Sequence, residues 1–220
     1  MAYVIAVSGG SGSGKSTLAE ALVARLGSDQ VVLFHEDAYY WPRTHYPEDM
    51  SVGAINYDHP ASKDAEHLVQ DLNALKQGHV IDQPVYDYGR HDRSRTEVRR
   101  LAPATVILLE GIHALSIPQA NDLIDLRVYV DTPDDLRLAR RIRRDVVERD
   151  RDIEGVLSQY MQTVRPAHYA YTHPAKFGAD LVIADEGLPA FGDVHPSEAA
   201  IERMLAPVLD RLRAVGILED

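Results

Sequence analysis

The chain has no cysteine among its 220 residues. That excludes disulfides, thiolate metal ligands and a cysteine nucleophile, and it suits a reducing compartment. Long apolar runs are missing too: none approaches the roughly 18 residues that cross a bilayer. The apolar stretch after Met1 lacks the basic flank of a secretory leader, so a cytoplasmic protein with no membrane association is expected. Basic residues are outnumbered, 23 to 34, and the net charge of -11 repels polyanions at long range, which disfavours a general nucleic-acid binder. The ten histidines include no His-Glu-x-x-His pair, and no transition-metal site is expected. Internal repeats and low-complexity linkers are absent, and the length suits a single domain over residues 1–220.

Against these absences stands one dense motif. Gly9, Gly10, Ser11, Gly12, Ser13, Gly14, Lys15 and Ser16, followed by Thr17, fit the G-x-x-x-x-G-K-[ST] phosphate loop. An apolar run from Tyr3 to Val7 precedes it as a buried strand. Leu18, Leu22 and Leu26 follow at the spacing of one helix face. Glycines let successive N–H groups turn inward toward phosphate oxygens, and the helix N-terminus adds partial positive charge. Lys15 is placed to reach the β and γ phosphates and Ser16 to offer its hydroxyl to Mg²⁺.

Further apolar, β-branched runs at Val31 to Phe34, Thr105 to Leu109, Leu126 to Val130 and Leu181 to Ala184 alternate with helical patterns, which predicts an α/β fold with a five-stranded parallel sheet covered on both faces. One amphipathic helix carries Ala65, Leu68, Val69, Leu72 and Leu75; another carries Ile201, Met204, Leu205, Val208, Leu209 and Leu212. Residues at about 79–100 read as a small hairpin excursion. Thr132, Pro133, Asp134 and Asp135 predict a helix start with the threonine hydroxyl as cap.

Ligands of parallel sheets bind outside the carboxyl ends of the strands. Glu110, at such an end beside the loop, is a candidate Mg²⁺ ligand, with a capping or surface carboxylate as the alternative. Asp37 is placed either to accept the proton of an attacking hydroxyl or to cap a turn. Arg137 to Arg151 holds seven arginines. At about 100° per residue, Leu138, Ile142 and Val146 share a packing face, while Arg137, Arg140, Arg141 and Arg144 gather opposite. Such a helix either closes over phosphates as a lid at about 133–152 or is a solvated, salt-bridged surface. Tyr39, Tyr40, Trp41, Tyr57, Tyr86, Tyr88 and His91 line a pocket or fill a satellite core.

Read in order, these segments resemble the uridine kinase (uridine-cytidine kinase) family over roughly residues 3 to 184. The likeness runs through His-Glu-Asp-Ala-Tyr-Tyr at 35–40, Asn-Tyr-Asp-His-Pro at 56–60 and Pro-Val-Tyr-Asp-Tyr at 84–88. His91, Arg93, Glu-Gly-Ile at 110–112, the arginine helix, Gln159-Tyr160 and Val-Arg-Pro at 164–166 continue it. The resemblance implies a three-layer P-loop kinase fold that moves the γ-phosphate of ATP or GTP to the 5′-hydroxyl of uridine or cytidine with Mg²⁺. It further implies Asp37 as base and metal neighbour, and Asp58 on the ribose hydroxyls. Tyr40 and Tyr57 border the nucleoside, Tyr86 and His91 contact its base, and Gln159 lies on the nucleoside side. Lys15, Arg141, Arg144 and Arg151 serve phosphate, Arg149 both substrates, and Ser16 and Glu110 the metal. A homo-oligomer, a tetramer in many relatives, is also implied.

The tail after Asp185 departs most from the family pattern, and two further departures stand out. Asp150 occupies the place of a usual glycine between Arg149 and Arg151, and Thr96-Glu97 stands where Glu-Thr is usual. Rival readings are a P-loop kinase for another alcohol, of phosphoribulokinase or pantothenate kinase type, and a non-catalytic nucleotide-binding protein. The sequence lacks the guanine-reading Asn-Lys-x-Asp motif of a switch.

Overall fold

A computed structural model describes residues 1–185 and 197–219. Its main elements are β1 (Tyr3–Ser8), α1 (Lys15–Leu26), β2 (Val31–His35), α2 (Ala65–Lys76), β3 (Ile81–Asp87), β4 (Asp92–Leu101), β5 (Val106–Glu110), β6 (Leu126–Asp131), α3 (Asp134–Arg149), α4 (Ile153–Gln159), β7 (Leu181–Ala184) and a last helix, Glu198–Ala214. The five expected strands form one parallel sheet in the order β2-β5-β1-β6-β7. The strand expected at Thr105 to Leu109 runs one residue further on, so Glu110 is its last residue and pairs with Val7 and His35. This register sets the ends of β1, β2 and β5 side by side.

Alternation along β1 sends Val4 and Ala6 into one core and Ile5 and Val7 into the other. The first core packs Leu68, Leu72 and Leu75 of α2; the second packs Leu18 and Leu22 of α1 with Met204, Leu205, Val208, Leu209 and Leu212. Full burial of a Leu or Val contributes about 1.5–3 kcal/mol, so the central strands, apolar on both faces, are the stable frame. Asp64 starts α2 by accepting from the His67 N–H, and Ser197 starts the last helix by accepting from Ala200. No helix among the described residues is long and apolar enough to cross a membrane.

The excursion is an antiparallel hairpin of β3 and β4. Its register breaks between the pairs Pro84–Val98 and Tyr86–Arg93, so Ser94 to Glu97 on β4 stand against Val85 alone. The Ser94 hydroxyl stabilises the bulge by accepting from the N–H groups of Thr96 and Glu97.

Candidate active site

The phosphate loop curls over α3. Gly12 takes φ 79°, and a Cβ there would run into the Arg137 carbonyl, so two independent constraints demand glycine. Thr132, expected as a cap, does something else: α3 starts without a side-chain cap, and the Thr132 hydroxyl donates to the Ser13 carbonyl at 2.8 Å. It tethers the loop rather than the helix. Lys15 is buried, which pushes its ammonium below the ordinary value, with Glu110 and Asp37 pulling the other way. Ser16 Oγ donates to Glu110 Oε2 at 3.0 Å. On Glu110, burial acts to raise the pKa, but the His35 hydrogen bond at 3.3 Å and the charge of Lys15 outweigh it and keep the carboxyl below its usual range. Glu110 is therefore a buried carboxylate beside the loop, held toward its charged form, not a surface carboxylate. An oxygen-only pair suits Mg²⁺, which keeps several waters and takes one or two protein ligands.

Two carboxylates lie across from the loop. Asp37 follows β2 in a short 3₁₀ turn, Glu36–Tyr39. Its Oδ1 accepts from Lys63 Nζ at 2.6 Å and its Oδ2 from the Tyr88 hydroxyl at 3.1 Å. Burial acts to raise Asp37, but Lys63, Lys15 and Tyr88 together hold it well below the carboxylate range. Asp58 is buried, with Oδ2 accepting from Thr163 at 3.3 Å and its carbonyl from His113 Nε2 at 2.9 Å. Burial pushes Asp58 up, and Arg141 opposes that. The glycine of Glu110-Gly111 has a steric cause: any Cβ at Gly111 would strike the buried Glu36 carboxylate. The motifs at 35–37 and 110–111 are locked into one another.

The expected aromatic cluster divides. Tyr39 is core, stacked on Phe34 at 5.3 Å and donating to Asp71, and Trp41 stacks on His45. Tyr40 meets Tyr57 edge-on at 5.6 Å and Tyr86 at 5.0 Å, while His91 stacks on Tyr57 at 5.3 Å. These rings line one wall of a cleft. Burial, Arg151 and Arg149 lower the pKa of His91 and favour the neutral imidazole, which both donates and accepts hydrogen bonds.

The arginine helix corrects the expectation about its faces. Arg137, Arg141 and Asp145 are its buried positions, while Leu138, Ile142 and Val146 are only half-buried. The reason is Asp145, fully buried, whose carboxylate gathers Arg141 at 3.6 Å, Arg144 at 2.9 Å, Arg149 at 3.5 Å and Arg151 at 3.3 Å. A charged face can turn inward because its cations share an anion. Arg141 also donates to Ser11 Oγ at 2.9 Å, and Arg141 and Arg151 both donate to Gln159 Oε1, at 2.8 and 2.7 Å. The arginines thus reach from the loop to Gln159. Arg137 sits beneath Gly10, bound to Asp134 and the Thr132 carbonyl.

One cleft is lined by Ser11, Lys15, Asp37, Tyr40, Tyr57, Asp58, Tyr86, Tyr88, His91, Ile112, Arg141, Arg144, Arg149, Arg151 and Gln159. Every proposed nucleoside-side residue therefore lines the same cleft as the lysine of the phosphate loop. Ser16 follows Lys15 in the chain, and Glu110, bonded to Ser16, acts on the Lys15 charge.

The model of the Phosphoribulokinase / Uridine kinase family matches residues 4–188. The chain belongs to the phosphoribulokinase / uridine kinase family. Among relatives, the uridine kinase of Ligilactobacillus salivarius (strain UCC118) is 39% identical over 210 residues, covering 96% of this chain and 94% of that one. The uridine kinase of Oceanobacillus iheyensis is 41% identical over 184 residues, covering 84% and 87%. In fold, the phosphoribulokinase of Rhodobacter spheroides superposes with a TM-score of 0.60 at 14% identity, over 90% of this chain and 75% of that one.

The two further departures from the family pattern have local accounts. Asp150 adopts the left-handed conformation, φ 51° and ψ 41°, as the residue that ends α3. Glycine meets that backbone demand at least cost, and aspartate tolerates it better than most residues. Its side chain is exposed and outside the cleft lining, so it does not set a negative charge against phosphate. Thr96 and Glu97 lie exposed in the β4 bulge, also outside that lining. Sequence reasoning missed the roles of Lys63, Asp145 and Thr163. Thr163 reaches Asp58 because the helix widens into π turns at Tyr160–Val164 and His168–Thr172 around Pro166, which cannot donate an N–H.

Proposed function

We propose that the protein is a uridine/cytidine kinase that transfers the γ-phosphate of ATP or GTP to the nucleoside 5′-hydroxyl, giving UMP or CMP for pyrimidine salvage in the cytoplasm. The observation that carries this is the single cleft in which Lys15 and four arginines face Asp37, Asp58 and a wall of rings. A nucleotide-only site has no use for that second wall, and a sugar phosphate or pantothenate has no flat base to set against Tyr40, Tyr57, Tyr86 and His91.

Phosphoryl transfer asks mainly for alignment and charge neutralisation. Backbone N–H groups of Gly9 to Thr17 and the Lys15 ammonium hold the phosphates, and Arg141, Arg144, Arg149 and Arg151 spread positive charge over the transferred group. Ser16 and Glu110 would hold Mg²⁺, which would neutralise charge on the phosphate oxygens. Asp37, which the resemblance implies as a metal neighbour, has both oxygens engaged by Lys63 and Tyr88 and serves the acceptor hydroxyl. So acidic a carboxylate is a weak base: it accepts the hydroxyl hydrogen bond, aligns the oxygen and takes the proton late. Asp58 and Gln159 face the sugar. Assembly as a homo-oligomer is part of the proposal, checked by light scattering of the purified chain.

The test is ADP release across a panel of uridine, cytidine, purine nucleosides, ribulose phosphate and pantothenate, each with ATP and with GTP. Uridine or cytidine giving the highest kcat/KM supports the reading. Ribulose phosphate or pantothenate outperforming them overturns it, as does tight nucleotide binding with no acceptor phosphorylated.

A further inference from the structure

Four of the 23 basic residues are lysine, and one of them, Lys63, is buried at the acceptor wall with its side chain 1% exposed. Its position is fixed by main-chain bonds: Asp64 N–H donates to the Tyr39 carbonyl at 2.8 Å and Trp41 N–H to the Ser62 carbonyl at 3.0 Å, with a bridge between Tyr40 and Lys63. The segment 61–64 is clamped along 39–41, so the lysine side chain can only run inward.

There Nζ meets three groups. It lies 3.0 Å from Glu36 Oε1, 2.6 Å from Asp37 Oδ1, and 3.8 Å above the centre of the Tyr40 ring. Glu36 is fully buried, and its other oxygen accepts from the His113 N–H at 2.9 Å. Asp37 faces the cleft, with a side chain 33% exposed. The ammonium thus bridges the fully buried Glu36, which it meets as an ion pair, and the cleft-facing Asp37, to which it donates its shorter contact. Charge-assisted bonds of this length are directional and hold a partner's orientation. The two carboxylates and the ring face all favour the charged form of Lys63, whose pKa is raised despite the opposing effect of burial.

We propose that Lys63 is a positioning residue for phosphoryl transfer: anchored on Glu36, its ammonium fixes the Asp37 carboxylate so that the carboxylate aligns the acceptor hydroxyl. In the step it serves, the hydroxyl oxygen bonds to the γ-phosphorus and the bond from phosphorus to the β,γ-bridging oxygen breaks. That electron pair leaves with the nucleoside diphosphate, and the hydroxyl proton passes to Asp37. Lys63 stays protonated throughout and touches neither substrate nor the reacting atoms. The proposal rests on the kinase reading but not on the identity of the acceptor.

The test is a double-mutant cycle in kcat with Lys63→Met and Asp37→Asn, run on whichever alcohol the wild-type enzyme phosphorylates best. A non-pyrimidine acceptor would thus fail the substrate reading without touching this one. Lys63→Met is expected to lower kcat by about 10- to 100-fold while KM for nucleotide and acceptor stays within about threefold. In the Asp37→Asn background the same change is expected to cost less than about threefold, because the group Lys63 acts on is gone. A full multiplicative loss in the double variant overturns the proposal, as does unchanged kcat in Lys63→Met. Lys63→Gln, which removes the charge but keeps polar contacts, is measured alongside. If neither variant folds well enough to bind a fluorescent ATP analogue, the lysine is a structural ion-pair partner and the positioning role is refuted.

Discussion

The two halves of the cleft are built by opposite means. The phosphate half comes from two contiguous stretches, the loop at 9–17 and the arginines from Arg141 to Arg151, and one buried anion, Asp145, organises its cations. The acceptor half is assembled from the turn after β2, the loop holding Tyr57 and Asp58, the hairpin and the helix carrying Gln159, and it is organised by ring contacts and the Lys63 cation. Binding a polyanion needs charge density, which one helix face can concentrate. Reading a flat base and a hydroxyl needs groups from several directions, which only tertiary structure can bring together.

The largest effect expected on this division is at Asp37. Asp37→Asn keeps the shape and removes the acceptor of the hydroxyl proton, so kcat falls by about 10² to 10⁴ while nucleotide affinity, measured by a fluorescent analogue, stays within about twofold. Near-normal turnover would remove Asp37 from the chemistry. Next is the hub of the other half. Asp145→Asn leaves four arginines without their shared anion, and kcat/KM for ATP is expected to drop by about 10-fold or more, with acceptor KM nearly unchanged. An equal loss for both substrates would mean that the hub supports the whole cleft. His91→Ala should then change the ratio of kcat/KM among nucleosides by about three- to tenfold and leave KM for ATP alone, as read from the same substrate panel. A uniform loss would take His91 out of base recognition. Smallest is Asp150→Gly, expected to raise stability by about 1 kcal/mol in urea unfolding, with kinetics unchanged. A gain in phosphate affinity would show that the aspartate charge does reach the site.

The contrast between the halves also explains what could be read before the structure. The five strands, the hairpin and the phosphate loop follow from local patterns, which survive folding because each element buries its own apolar face. The place of Glu110 beside the loop was legible because residues at strand ends of parallel sheets gather at one edge. The aromatic wall was not: spacing alone could not separate Tyr39, a core ring stacked on Phe34, from Tyr40, one residue on and facing the cleft. The helical wheel of α3 placed its apolar residues inward, since a wheel carries no information about Asp145 neutralising its neighbours across turns and from beyond the helix end. Lys63 offered one faint signal, as one of four lysines among 23 basic residues, and no spacing rule connects it to Asp37, 26 residues away.

The division of the cleft is tested most directly by calorimetric titration of uridine and of a non-hydrolysable ATP analogue into the wild type, Arg144→Gln and Tyr86→Ala. Arg144→Gln is expected to weaken the nucleotide by about tenfold and leave uridine within about twofold, and Tyr86→Ala to do the reverse. Wild-type protein that binds no uridine, or variants that weaken both ligands equally, would contradict a cleft made of two separable halves.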